Sequence, residues 1–161
     1  MISKKVILTG SFGVGKTSLF NQFLHSRFSE KYLTTIGVKV DKKVINIDGK
    51  ELSMIIWDIA GEVAQDKVPT TYFLGASGII YVFDLTRPST FKNLLPDLEY
   101  LQEMTKGAVV KIVGNKKDLV TPEELAKVLE DVPAEVDITT SAKTGENVDH
   151  LFHLLGAEIV D

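Results

Sequence analysis

Residues 10–17 read Gly10-Ser11-Phe12-Gly13-Val14-Gly15-Lys16-Thr17 and match the phosphate-loop pattern G-x-x-x-x-G-K-[ST]. The loop follows the apolar run 6–8, which is typical of a buried strand. Apolar residues then recur at helical spacing from residue 19 to residue 24. A glycine turn between a strand and a helix is the alternative interpretation. The lysine and threonine in this strand–loop–helix context favour a polyphosphate site instead.

The loop's backbone explains why it would bind phosphate. Glycines allow successive N–H groups to point inward as an anion nest, and the free N–H groups at the start of a helix add partial positive charge. Lys16 can reach the outer phosphates, and the Thr17 hydroxyl suits Mg²⁺, a hard cation that prefers oxygen ligands. Phe12 is unusual, because this position in such a loop is normally small.

Composition narrows the class of protein. The chain has 161 residues, 44% hydrophobic and 25% charged, with a net charge of −4, as expected for one globular domain spanning 1–161. The acidic balance argues against nucleic acid as the main partner. With no cysteine, and Ile2 after the initiator, we expect no direct membrane anchor in this chain. A cytoplasmic location is expected, with any peripheral membrane contact made through a partner.

Apolar runs alternate with amphipathic stretches, which predicts an α/β fold with helices on both faces of a mostly parallel, six-stranded sheet. The expected strands are 4–9, 38–47, 51–57, 78–84, 109–114 and 136–139. Asp48-Gly49 predicts a hairpin, and therefore one antiparallel pair. The expected helices are 15–25, 68–74, 90–104, 122–129 and 148–155. Pro96 should either kink the third helix or mark a later start.

Polar residues follow several expected strands, at the edge where α/β sheets bind ligands. Asp58 ends a buried strand, where an acid that holds Mg²⁺ through water belongs, and Gly61 would let the backbone approach a γ-phosphate. The Asp118 carboxylate could accept hydrogens from guanine N1–H and its 2-amino group. Adenine lacks that pair of donors. A backbone N–H in the segment 140–143 could donate to guanine O6.

These motifs together resemble those of the Ras-like small GTPases, and those of the Rab branch most closely. The matching segments are GSFGVGKT at 10–17, TTIG at 34–37, WDIAGE at 57–62, NKKD at 115–118 and SAK at 141–143. The resemblance covers essentially the whole chain, and we expect this chain to lack the lipidated C-terminal tail that Rab-like proteins usually carry. It implies a three-layer α/β/α P-loop NTPase G domain that binds GTP or GDP with Mg²⁺ and hydrolyses GTP.

The resemblance also implies roles for individual residues. Thr17 and Thr35 would ligate Mg²⁺, and Asp58 would hold the metal through water. Lys16, Thr35, Gly61 and Glu62 would take part in catalysis. The residues implied to bind nucleotide are Gly13, Val14, Gly15, Lys16, Thr17, Ser18, Phe28, Tyr32, Gly61, Asn115, Lys116, Asp118, Ser141, Ala142 and Lys143. Core packing for Phe28, and an ordinary surface position for Tyr32, remain alternatives.

Two residues depart from the family pattern. Glu62 stands where a glutamine normally orients the attacking water, and a carboxylate lacks the amide donor. It could still act when protonated, or it could point to solvent and contribute little. Phe12 would crowd the position that a partner's arginine finger enters, or it could pack on the neighbouring loops. The pair predicts slow intrinsic hydrolysis that does not follow the usual glutamine-plus-finger route.

The sequence therefore favours a Mg²⁺-dependent switch. GTP would order residues 31–40 and 60–73, which would then bind effectors, exchange proteins or activating proteins. One alternative is a module that binds guanine nucleotide without hydrolysing it. The other is a P-loop kinase or ATPase, which the guanine motifs oppose.

Overall fold

A computed structural model of the chain describes residues 1–25, 38–59 and 67–161. The strands in these ranges are β1 (Ile2–Gly10), β2 (Val38–Ile47), β3 (Lys50–Ile59), β4 (Ala76–Asp84), β5 (Val109–Asn115) and β6 (Ile138–Thr139). The α-helices are α1 (Lys16–His25), α2 (Leu94–Thr105), α3 (Pro122–Asp131) and α4 (Val148–Ile159). Five residues with predicted roles, Phe28, Tyr32, Thr35, Gly61 and Glu62, lie outside the described residues.

The described strands form one sheet in the order β2-β3-β1-β4-β5-β6. All neighbours are parallel except β2 and β3, which pair antiparallel from Val38↔Ile59 to Ile47↔Lys50. Asp48 at φ 49° and Gly49 at φ 86° both adopt the left-handed conformation that a two-residue hairpin turn requires. The predicted fold class, with its single antiparallel hairpin, is therefore confirmed.

The core lies on both faces of the sheet because side chains alternate along a strand. Val6 and Leu8 of β1 pack with helices α1 and α4 on one face, where the rings of Phe23 and Phe152 stack with centroids 3.8 Å apart. Ile7 points to the other face and packs in the cluster that contains residues of α2. Strand β1 is thus buried on both sides, which makes its carboxyl end a rigid support for the phosphate loop.

Two helices differ from the expectation. The α-helix predicted over 68–74 is wrong: this segment contains only the 3₁₀ turn Thr70–Tyr72, preceded by Pro69 at φ −53° and ψ 130°. Proline disfavours a helical conformation at the residue before it, and Pro69 itself is extended at ψ 130°, so the helical turn begins only at Thr70. The third predicted helix begins at Leu94 instead of residue 90. Pro96 then lies in its first turn, where a missing N–H costs nothing.

The two longest described α-helices, α2 and α4, have 12 residues each. Among the described residues, no helix combines the length and apolar character needed to cross a bilayer.

A hydrogen bond joins helix α2 to the sheet. The buried Tyr81 hydroxyl on β4 donates to Asp97 Oδ2 at 2.6 Å. Burial raises the pKa of the Asp97 carboxyl, and the hydrogen bond from Tyr81 only partly opposes this effect. Burial and the neighbouring carboxylate also raise the pKa of the Tyr81 phenol, so the phenol remains protonated near neutral pH.

This pair should make stability depend on pH. Because the folded-state pKa of Asp97 is raised, its contribution is complete below the unfolded pKa of about 3.9 and is lost as pH rises through the folded pKa. The wild type should therefore lose unfolding free energy relative to Asp97→Asn as pH rises from 4 to 7. Urea denaturation of both proteins across this range would measure the difference. A constant difference would contradict the assignment, while Tyr81→Phe should cost about 1–2 kcal/mol at neutral pH.

Candidate functional site

The carboxyl ends of the parallel strands bring distant segments to one edge of the sheet. The phosphate loop follows β1, and Asp58 lies near the end of β3. Asp84 and Asn115 end β4 and β5, and residues 140–143 follow β6. Asp58, Asp84 and Asn115 are each at least 98% buried, so packing fixes their positions. The expected convergence at this edge is observed for the described residues.

Glycine is required in the phosphate loop by close contacts as well as by conformation. A Cβ atom on Gly10 would lie 2.2 Å from the carbonyl oxygen of Val82 on the neighbouring strand. Gly15 has φ 95°, and a Cβ atom there would lie 2.3 Å from Asn115 Nδ2. The space beside Gly15 is thus occupied by the side-chain amide of Asn115, the last residue of β5.

The Asn115 amide connects three segments of the site. Its Nδ2 donates to the Val14 carbonyl of the phosphate loop at 2.9 Å. Its Oδ1 accepts hydrogen bonds from Thr140 Oγ1 at 3.0 Å and from the Ala142 backbone N at 3.2 Å. Asn115 is 1% exposed, so these bonds are shielded from competing water. The phosphate loop and the 140–143 segment therefore share one rigid anchor.

A hydroxyl, a carboxylate and an ammonium meet at the start of α1. Thr17 Oγ1 donates to Asp58 Oδ2 at 2.9 Å, and Lys16 Nζ lies 3.9 Å from Asp58 Oδ1. Hydroxyl and carboxylate oxygens are the ligands that Mg²⁺ prefers, so the donor set of Thr17 and Asp58 fits this ion. Lys16 belongs to the phosphate loop and is only 6% exposed, so its charge is shielded from solvent there.

A cavity of about 200 Å³ lies next to the phosphate loop. Its lining residues are Gly15, Ser18, Asn115, Lys116, Asp118, Leu119, Ala142 and Lys143. Ser141 Oγ donates to Asp118 Oδ1 at 2.8 Å and also accepts from the Thr144 backbone N at 3.1 Å. The Asp118 carboxylate is thus held by Ser141 at the wall of a cavity that Ala142 also lines.

A charged cluster adjoins this cavity. Asp84 is completely buried, and its Oδ2 lies 3.0 Å from Lys116 Nζ and 3.9 Å from Arg87 Nη1. Burial alone would raise the pKa of the Asp84 carboxyl. Hydrogen bonds from Thr86 and Lys116, with the charge of Lys116, outweigh burial and lower its pKa instead. Asp84 therefore carries a negative charge at neutral pH.

Sequence reasoning missed the contacts that three residues make at this edge. Arg87 Nη1 donates to the Phe12 carbonyl of the phosphate loop at 3.1 Å. Gln22 Nε2 on α1 donates to the Ala142 carbonyl at 2.8 Å. Thr140 bonds to Asn115 as described above. Each acts through a contact between segments far apart in sequence, and no short motif identifies such contacts.

The structure brings most of the expected nucleotide residues to one place. Those it describes at the site are Gly13, Val14, Gly15, Lys16, Thr17, Ser18, Asp58, Asn115, Lys116, Asp118, Ser141, Ala142 and Lys143. Val14 has a fully buried side chain in the core, so only its backbone can face a ligand. Phe12 is 61% exposed beside the loop, so its ring is not part of the described core.

A protein-family model also matches this chain. The model described as the Ras family matches residues 5–161, which is nearly the whole chain.

Removing the Asn115 amide should damage both stability and ligand binding. Asn115→Ala leaves the Val14 carbonyl, the Thr140 hydroxyl and the Ala142 N–H without their partner, at about 1–3 kcal/mol for each buried group left unpaired. We expect a loss of at least about 3 kcal/mol of unfolding free energy, measured by denaturation. Asn93→Ala is the matched control, because Asn93 is exposed and its side chain does not cap α2. Equal losses in the two variants would contradict the anchoring role.

Proposed function

Since the chain belongs to the Ras family of GTP-binding and GTP-hydrolysing switches, we propose that it is a Mg²⁺-dependent molecular switch. In this proposal the nucleotide lies along the carboxyl edge of the sheet, with its phosphates over residues 10–17 and its base in the cavity beside Asp118. The observation that carries the proposal is that cavity, which joins the base-reading carboxylate to the phosphate loop. Within this family, we propose that the chain belongs to the Rab branch, on the basis of its motifs.

Guanine selection follows from the chemistry of the cavity. Asp118 would accept hydrogen bonds from N1–H and the 2-amino group of guanine, while the Ala142 N–H would donate to O6. The Ala142 N–H is already within 3.2 Å of Asn115 Oδ1, so it would share its hydrogen or shift slightly. Adenine would present an amino group to this donor and would leave the carboxylate unpaired, which is costly in a pocket. Lys116 and Lys143 would flank the base.

Asp118→Ala should separate base recognition from phosphate binding. Two charge-assisted hydrogen bonds are lost, at roughly 1.5 kcal/mol or more each, so GDP affinity should fall about 100-fold or more. ATP affinity should not fall and should rise modestly, because the variant no longer has a carboxylate that adenine leaves unpaired. Competition binding against a fluorescent guanine nucleotide would measure both. Glu123→Ala on exposed α3 is the matched control. If the wild type bound ATP as well as GTP, a P-loop kinase or ATPase would be the better interpretation.

Metal binding would involve the corner formed by Thr17 and Asp58. We propose that Thr17 ligates Mg²⁺ directly, that Asp58 holds it through water, and that Thr35 completes the site from outside the described residues. Bound Mg²⁺ would neutralise part of the negative charge on the phosphate oxygens. Lys16 Nζ lies 3.9 Å from Asp58 Oδ1. Because Lys16 is part of the phosphate loop, its ammonium would need to move only slightly to contact the phosphates. Gly61 would donate its N–H to the γ-phosphate.

Nucleotide state would be transmitted through residues 31–40 and 60–73. Contacts from Thr35 and Gly61 to the γ-phosphate would order these segments in the GTP form and release them after hydrolysis. The described part of this surface includes the start of β2, an edge strand of the sheet with Val40 exposed. An effector, an exchange protein or an activating protein would bind there. The proposed location is the cytoplasm, with any membrane contact made through such a partner.

Hydrolysis is the part of the function that the sequence makes unusual. Glu62 would face the region of the charged γ-phosphate, where ionised carboxylate is repelled and cannot donate an amide hydrogen to water. The exposed ring of Phe12 would obstruct the approach of an arginine from a partner. We therefore propose slow conversion of GTP and water to GDP and phosphate. A guanine-nucleotide-binding module that does not hydrolyse GTP is the second candidate, supported by the same two residues.

Restoring the usual residues should restore hydrolysis. Glu62→Gln should raise the single-turnover rate of the purified, GTP-loaded protein by about tenfold or more, as expected for a positioned polar group. Phe12→Gly in the same background should allow a further increase with an arginine-supplying partner. Exposed Glu123→Gln on α3 serves as the control and should leave the rate unchanged. A fast wild type, matched by both variants, would show that neither residue limits the reaction.

A further inference from the structure

Arg87 connects the loop after β4 to the backbone of the phosphate loop. Its Nη1 donates to the Phe12 carbonyl at 3.1 Å and lies 3.9 Å from Asp84 Oδ2. The backbone of Arg87 is itself fixed: its N–H donates to the Asp84 carbonyl at 3.0 Å, and its carbonyl accepts from Thr90 Oγ1 at 2.7 Å. Arg87 is therefore held by hydrogen bonds at its backbone and at its guanidinium, although its side chain is 45% exposed.

We propose that Arg87 is a positioning residue for nucleotide binding, which holds the Phe12–Gly13 peptide so that the Gly13 N–H is directed at the phosphates. The proposal rests on the proposed nucleotide site and adds a residue from outside its motifs. Arg87 acts through the loop backbone and is not a catalytic residue.

The geometry of the peptide unit supplies the first step. In a trans peptide the C=O and N–H bonds point in opposite directions. Because Arg87 holds the Phe12 carbonyl on one side of the loop, the Gly13 N–H must point away from Arg87. Accepting a hydrogen bond from the cationic guanidinium also polarises the peptide, which makes its N–H a stronger donor. Phosphate oxygens would benefit from both effects.

The second step is that this peptide needs an external constraint. Gly13 has φ 77°, and glycine enters and leaves this region freely because it lacks a Cβ atom. Rotation of the Phe12–Gly13 peptide is therefore cheap unless a partner holds the carbonyl. The guanidinium also occupies the adjoining space, because a Cβ atom built on Gly13 would lie 3.0 Å from Arg87 Nη1.

The next peptide but one is fixed in the same way. Asn115 Nδ2 holds the Val14 carbonyl at 2.9 Å, so the Gly15 N–H also points away from its own clamp. The two clamps differ in burial: Asn115 is 1% exposed and belongs to a motif, whereas Arg87 is partly exposed. Asp84 also connects Arg87 to the wall of the cavity, because its Oδ2 lies 3.9 Å from Arg87 Nη1 and 3.0 Å from Lys116 Nζ, a residue that lines the cavity.

The test compares Arg87→Ala, Arg87→Lys and the control Lys92→Ala in the full chain loaded with fluorescent GDP. Lys92 is exposed, lies five residues further along and has no ion pair among the described residues. Loss of one charge-assisted hydrogen bond should make GDP release about tenfold faster in Arg87→Ala. Arg87→Lys should recover most of this loss, and Lys92→Ala should match the wild type.

A second readout separates positioning from a general structural effect. The amide resonance of Gly13 in the ¹H–¹⁵N spectrum of the GDP form should shift in Arg87→Ala, while resonances of α3 remain in place. Release at the wild-type rate from Arg87→Ala, equal acceleration in Lys92→Ala, or an unmoved Gly13 resonance would each overturn the proposal. If the wild type bound no GDP, the proposed function would fail. The Gly13 resonance of the ligand-free protein would then still report whether Arg87 holds the peptide.

Discussion

The buried amide of Asn115 is the interaction on which the arrangement of the site depends. It donates to the phosphate loop and accepts from Thr140 and Ala142, so both ends of a bound nucleotide would rest on one side chain. An amide suits this position because it offers donors and acceptors at once. A carboxylate could not donate to the Val14 carbonyl, and an alkyl side chain would leave all three groups unpaired. The glycine at position 15 is required partly to make room for it.

Two buried acids at the same edge have their negative charges stabilised by different partners. Asp58 is held by Thr17 and lies beside Lys16, groups that would also meet phosphate or metal. Asp84 is held by Thr86, Lys116 and Arg87, which position the base motif and the loop backbone. Buried charges are costly unless they are paired, so each acid imposes a fixed position on its cations. The charges at this edge are thereby held in fixed positions by other groups of the protein.

How much of this could be predicted depended on whether the cause was local. The hairpin at Asp48-Gly49 and the phosphate loop were predictable because their backbone conformations are set by the residues themselves. The segment 68–74 was not, because a proline near the start of a helix is normally tolerated, and the sequence does not show that Pro69 is extended at ψ 130° with a single 3₁₀ turn after it. The contacts of Arg87 and Gln22 could not be predicted for another reason. Each side chain donates to a backbone carbonyl from a distant part of the chain, and no motif near either residue indicates that contact.

At residue 12 the backbone and the side chain have separate structural roles. Its carbonyl is held by Arg87, while its ring is 61% exposed and no described hydrogen bond requires the side chain. The loop geometry therefore depends on the backbone at this position, and the side chain is free to be large. In the proposed nucleotide site, a bulky ring would therefore change which groups approach the phosphates without disturbing the loop N–H groups that would bind them. Glycine is indispensable at Gly10 and Gly15, where a Cβ atom would collide, but it is not indispensable at residue 12.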